Sequence, residues 1–365
     1  HVISGTAWNG QSGVATYYAR PFDLDGNPGA FNDSERERIA DVWHRVAEDL
    51  APFAIDVTTE APASFDPYTG HVLVTYNMDE LGTPMPSNSG GGVAWVNVYG
   101  RSDYHTYYSP ALVYYDHLGP GVSTYVAEAS SHEFGHNLGL SHDGTTSNVQ
   151  YYEGHGSGLV SWAPIMGNSY YNNVTQWSKG EYPGANSTQD DLAIIDAKLG
   201  YAGDEHGDTA GAATALLVSG DGSVVASNPE LDPHGILPEN RGIIHGAGDT
   251  DVFSFIAGAG TVSLTVTPAW DAFYSGTARR GANLDIQAEL RDAGNALVAA
   301  SEPLNDTAAT LNATVGSGAY YLVITGVGNG VTPYSDYDSL GQYFINGTVP
   351  VGVADKTPPN PNPMA

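Results

Sequence analysis

The stretch Ser131-His132-Glu133-Phe134-Gly135-His136-Asn137-Leu138-Gly139-Leu140-Ser141-His142-Asp143 constrains this chain more than any other. On a helix, His132 and His136 lie on one face about a turn (~5–6 Å) apart, so both rings can reach one ion at ~2.0–2.1 Å. Glu133 then falls beside that point rather than on it, where a carboxylate can take a proton from water that zinc has made acidic. Gly139 comes a turn after His136, where a residue without Cβ can end the helix in a left-handed conformation and swing the chain round. That reversal would bring in His142 as a third ligand. Three protein ligands leave a fourth position open, the arrangement of a catalytic zinc site. A bare His-Glu-x-x-His arises by chance in roughly one per cent of chains this long, and requiring the later Gly and His lowers that about a thousandfold. The expectation is one catalytic zinc on His132, His136 and His142, with Glu133 as general base.

The run resembles the metzincin signature His-Glu-x-x-His-x-x-Gly-x-x-His, and Asp143 makes it most similar to the reprolysin (adamalysin-like) branch. The resemblance implies a zinc endopeptidase acting on proteins or peptides. It also implies a turn with a buried methionine under the metal, for which Ile165-Met166-Gly167 is placed suitably. A core Met used as gap filler is the other reading of Met166. Some metzincins use a Tyr two residues after this Met as an extra ligand that swings away to stabilise the oxyanion. Tyr170 and Tyr171 follow Met166 by four and five residues, so that role and stacking in the lower cleft both stay open for them. Asp143, next to a ligand histidine, is expected to anchor the loop rather than bind metal. His155, in a Gly- and Tyr-rich loop, either touches substrate or metal or is merely hydrogen-bonded.

The charge balance narrows the partners: 41 acidic against 12 basic residues, net −29. Nucleic acid and anionic membranes would be repelled, whereas solubility, a saline habitat or calcium binding would each fit. There is no cysteine, and no apolar run approaches the ~20 residues that span a bilayer. The start at His1 without Met suggests a mature secreted form, after removal of a signal and a pro-segment. A monomer is expected.

Along the chain, Ser34-Glu35-Arg36-Glu37 has the form of a capping box, and Ile39, Val42, Trp43, Val46 and Leu50 follow at helical spacing, predicting a helix over 35–50. Strand-like runs follow at Ala54–Thr59, Val72–Tyr76, Val93–Tyr99 and Leu112–Tyr115, then the helix Ser123–Leu140 with the zinc ligands. Within the third run, Val93–Val98 is the candidate edge strand that holds substrate by β-augmentation, an ordinary central strand being the alternative. A loop-rich lower subdomain over 143–181 and a helix over Gln189–Leu199, led by Thr188, close the unit. Asp190 and Asp191 suit the first turn of that helix.

Beyond 203 the texture changes to alternating apolar runs: Asp251–Ile256, Thr261–Thr267, Leu284–Leu290, Ala309–Val315, Tyr320–Thr325 and Gln342–Gly347. Strands without helices imply a β-sandwich. This half resembles the bacterial pre-peptidase C-terminal domain in Gly248–Phe255, Asn283–Ile286 and Gly318–Val323. Asp249, Asp251, Asp336 and Asp338 are paired acids in turns, either calcium ligands or turn-forming residues. The expected organisation is an α/β metzincin-like catalytic domain over 1–202, with twisted sheet, active-site helix and loop-rich lower subdomain. An all-β sandwich over 203–350 and a Pro-rich linker over 351–365 follow. A catalytically silent adhesin or matrix-binding module on the same fold is the alternative function.

Overall fold

The computed structural model describes residues 1–226, 240–269 and 281–352. The expected Pro-rich tail lies, from residue 353 onward, outside the described residues. The chain opens with β1 (Val2–Ser4), α1 (Ala7–Ser12) and β2 (Thr16–Tyr18), β1 and β2 pairing antiparallel. Next is α2 (Asp33–Asp49), whose cap is one pair earlier than the sequence pattern suggests. Asn32 accepts the Glu35 N–H at 3.0 Å and Glu35 accepts the Asn32 N–H at 2.9 Å. An Asn caps as well as a Ser, and Glu35 gains a further donor, Leu24 N–H at 2.7 Å.

The strand expected over Ala54–Thr59 does not form. Ala54 N–H donates instead to Gly200 O at 2.8 Å, tying the segment to the chain after the last helix of this unit, while Ile55 and Val57 pack on the core. β3 (Val72–Thr75), β4 (Gly92–Val93) and β5 (Ala111–Tyr114) form a sheet in the order β3-β5-β4, with β3 parallel and β4 antiparallel to β5. β5 is buried along its whole length. Of the strand expected over 93–99 only Val93 is a strand residue, because the chain beyond it turns to a different task described below. α3 (Ser123–Leu138) packs against α2, β3 and β5, and nearly all of its residues are buried. A helix covered on all sides needs apolar or small residues around its whole circumference, and Val126, Ala127, Ala129, Ser130 and Phe134 supply them.

The lower part has a short 3-10 turn (Gly158–Val160) and β6 (Trp162–Pro164), parallel to β7 (Val174–Gln176), before α4 (Asp191–Leu199). The cap of α4 is Asp190, accepting Ala193 N–H at 3.0 Å, rather than Thr188, and Asp191 accepts Ser178 N–H at 3.1 Å. Both acids are therefore structural.

The remainder is β-rich: β8 (Thr214–Ala215), β9 (Ser223–Val224), β10 (Arg241–Ile244), β11 (Thr250–Ala257), β12 (Gly260–Pro268), β13 (Ile286–Asp292), β14 (Leu297–Ser301), β15 (Ala309–Val315), β16 (Gly318–Gly326) and β17 (Gly341–Thr348). One sheet runs β10-β17-β12-β15 with β9 on β17, the other β14-β13-β16-β11-β8. Alternate residues of both sheets, among them Val262, Leu264 and Val266 from one and Ile286, Ala288 and Leu290 from the other, share one core. That is the sandwich arrangement of period-2 strands.

This β unit meets the helical unit through buried polar groups. Glu48 of α2 accepts Gln342 N–H and Nε2–H, each at 2.9 Å. Asp338 accepts Trp177 N–H at 2.5 Å, and Asn283 Nδ2 donates to Asp49 at 3.1 Å. The apolar stripe of α2 is half-buried apart from Leu50, while Glu35, His44, Arg45, Glu48 and Asp49 are buried. The helix is buried on its polar side because two partners, α3 and β17, cover it.

Candidate metal centre

Gly139 ends α3 at φ +124°, its N–H donating to Gly135 O and His136 O at 3.0 Å each. Two carbonyls at this helix end, those of His136 and Asn137, are met from outside. Asn97, itself at φ +57°, donates its N–H to His136 O at 2.8 Å, and Val98 and Tyr99 donate theirs to Asn137 O at 3.0 Å. Asn137 returns a bond from Nδ2 to Trp95 O at 2.9 Å. Residues 95–99 thus cap the histidine-bearing helix, which is why they are neither the expected edge strand nor a central one. The sheet edge over the site is Gly92–Val93 instead.

Past Gly139 the chain reverses and brings His142 to the two helical histidines. His136 Nε2 and His142 Nε2 are 2.9 Å apart, and one nitrogen from each of His132, His136 and His142 lies within 4.8 Å of the others. The outer nitrogens are held. His132 Nδ1 lies 2.8 Å from Ile165 O and His136 Nδ1 2.8 Å from Leu140 O. A carbonyl can only accept, so both Nδ1 atoms carry hydrogen and both Nε2 lone pairs point inward. Burial and mutual repulsion hold His132 far below the usual imidazole range and push His142 down to about 4; burial also lowers His136. Three neutral imidazoles converging on one point are a donor set that suits zinc.

Glu133 lies beside this point. It packs so closely under β4 that a Cβ on Gly92 would come within 2.7 Å of Glu133 Oε1. Its Oε2 is buried without a hydrogen-bond partner among the described residues, and burial pushes the carboxyl up to about 8. A cation on the three imidazoles would favour the ionised form.

Met166 is fully buried, and a Cβ on Gly135 would meet its Sδ at 2.7 Å and Trp177 at 3.2 Å, so the thioether lies directly against α3. Asp143 is buried and pushed up to about 7; its N–H donates to Met166 O at 2.9 Å and its O accepts Tyr152 N–H at 2.7 Å. It joins the chain after His142 to the methionine turn. Of the two tyrosines after Met166, Tyr170 is the one near the site: its hydroxyl is raised by burial and then by the Glu133 charge, and it would lie 3.3 Å from a Cβ on Gly91. Tyr171 is 65 % exposed and contacts Tyr125. His155 has both ring nitrogens engaged elsewhere, Nδ1 with Tyr152 OH at 3.0 Å and Nε2 with Pro333 O at 3.1 Å.

Two residues beside the metal point carry no motif signal. Tyr151 packs its ring 4.5 Å from that of His142 and 6.1 Å from that of His132. Gln150 lies 3.4 Å from His142 Nδ1. Nearness in sequence to His142 was the only available hint.

The acids weighed for calcium divide. Asp249 groups with Asp204 and Asp208, and Asp251 with Glu205 and His206. Asp251 is buried, its Oδ1 lacking a partner among the described residues. Asp336 and Asp338 belong to no such group among the described residues, and Asp338 is committed to Trp177. No helix among the described residues is long and apolar enough to cross a membrane.

Among solved structures, one similar chain is the pre-peptidase C-terminal domain of a collagenase from Bacillus anthracis, 20% identical, with 29% of this chain and 83% of that chain covered and a TM-score of 0.20. A superposition that loose says nothing of function. No curated protein matches. Residues 53–190 match the model of the reprolysin-like metallo-peptidase family M12B. That stretch, which holds His132, Glu133, His136, His142 and Met166, is where the chain is similar to a reprolysin-like metallopeptidase domain.

Proposed function

We propose that the protein is a secreted, monomeric zinc endopeptidase that hydrolyses peptide bonds of proteins, with a catalytic unit over 1–202 and an accessory β-sandwich over 203–350. The observation that carries this reading is the convergence of three imidazoles beside a buried carboxylate oxygen that has no partner among the described residues. His132, His136 and His142 hold the ion, kept in place by the carbonyls of Ile165 and Leu140. A bound zinc would supply Lewis acidity, polarising the scissile carbonyl and making water a ready proton donor.

The rest is done by the chain. Glu133 takes the proton from the attacking water at Oε2 and hands it to the leaving amine. β4 is the open edge of its sheet, and with Gly90 and Gly91 before it an extended substrate backbone can approach that edge without side-chain obstruction. To Tyr170, whose hydroxyl burial and the Glu133 charge keep protonated and which lies beside Gly91, we assign donation to the substrate carbonyl oxygen. Met166 shapes the floor, and Asp143 ties His142 to it. A structural calcium is proposed only at the groups that include Asp249 and Asp251.

Glu133→Gln tests the reading. The variant should keep one zinc per chain and lose activity on a casein zymogram by ~10²-fold or more, the usual worth of a general base. Wild-type turnover in that variant would refute the role. The alternative of a silent adhesin gains no support from a site in which all four groups are in place.

A further inference from the structure

His142 is held differently from its two fellow ligands. His132 and His136 stand on a buried helix, and each has its outer nitrogen against a backbone carbonyl. His142 stands on the loop after the helix, half-buried, and a side chain, Gln150, is what its Nδ1 meets. The loop between them is closed on itself. Thr145 N–H donates to Val149 O at 2.8 Å, Asn148 turns the chain at φ +66°, and Tyr152 N–H donates to Asp143 O at 2.7 Å. This brings residues 150 and 151 back over His142. Tyr151 then lays its ring against the imidazole, while Gln150 Nε2 lies 3.4 Å from His142 Nδ1 and donates to Tyr151 OH at 3.2 Å.

We propose that Gln150 and Tyr151 are positioning residues for the third metal ligand, so that the loop over 144–152 sets how tightly the ion is held. The inference rests on the reading of the three histidines as a zinc site. The chemistry requires one hydrogen placement. A His142 that binds through Nε2 carries its hydrogen on Nδ1, which needs an acceptor. A 180° turn of the Gln150 amide exchanges Nε2 for Oε1 with no change of shape, and in that orientation one oxygen accepts both from His142 Nδ1–H and from Tyr151 O–H. The amide then fixes the tautomer, and the tyrosine ring fixes the plane of the imidazole. Losing such an outer partner typically weakens metal binding ~10–100-fold.

The test is competition against a chromogenic chelator, with zinc as the probe, on the full chain and four variants, alongside the melting temperature of each metal-free protein. Gln150→Leu and Tyr151→Ala should each raise the zinc dissociation constant about tenfold or more while the metal-free melting temperature stays put. Gln150→Glu should restore or tighten binding, since a carboxylate accepts the same hydrogen more strongly, and Tyr151→Phe, which keeps the ring, should stay within about threefold of wild type. If the wild-type chain holds zinc and Gln150→Leu and Tyr151→Ala hold it equally well, this inference falls and the zinc site stands. A weakening matched by a lower metal-free melting temperature and unrelieved by Gln150→Glu also overturns it. A wild-type chain that binds no zinc overturns the zinc site itself.

Discussion

Glu48 offers a quantitative test of how the two units are joined. It is 1% exposed, and burial, only partly offset by the two Gln342 donors, pushes its carboxyl from 4.5 up to about 7. A raised acid contributes fully below its unfolded pKa and loses that contribution as pH climbs to the folded value, because only the unfolded chain ionises in between. The window is therefore pH 4.5 to 7. At 1.36 kcal/mol per unit, a shift of that size is worth about 3 kcal/mol. Glu48→Gln removes the titration with little change of shape: one oxygen still accepts Gln342 N–H, and the Gln342 amide can turn to accept from the new NH₂. Urea unfolding at pH 4.5 and pH 7.5 reads the difference. The wild type should lose about 3 kcal/mol more than the variant over that interval, about 1 M in midpoint at the slopes usual for urea. Parallel curves would show that Glu48 ionises freely, and with it that the joint between α2 and β17 is wet.

Three further outcomes follow from the site. Gly92→Ala drives a methyl toward Glu133 Oε1 and should cut peptidase activity at least ~10-fold with zinc retained, measured as turnover against metal content. Gly139→Ala places a side chain at φ +124° with Asn97 3.4 Å away, so backbone strain rather than a clash sets its cost. That cost should be about 1–3 kcal/mol, read as a lower melting temperature. Removing metal with a chelator should abolish activity, and adding zinc should restore it; full activity in metal-free protein would exclude the mechanism.

What the sequence discloses is what local chemistry decides. The three histidines and Glu133 fall within eleven residues, so helix geometry and one glycine suffice to bring them together. The strands from Thr250 to Thr348 are legible where one face is buried, since Leu284, Ile286, Ala288 and Leu290 repeat with period two. β14 carries no such signal, because Leu297 and Val298 are exposed and no alternation marks them. Val93–Val98 has strand composition, yet Asn137 on a distant helix recruits its backbone as a cap, a demand no local pattern records. The same holds for α2, whose buried Glu48 and Asp49 are satisfied by Gln342 and Asn283 from more than two hundred residues away. Gln150 and Tyr151 are ordinary loop residues until the chain closes over His142.

Anomalous diffraction at the zinc edge, from crystals of the full chain, puts the metal centre to the most direct trial. A single strong peak ~2.0–2.1 Å from Nε2 of His132, His136 and His142, with Glu133 near but not bonded, is the predicted result. A peak on other ligands, or none in crystals grown with zinc, would contradict it.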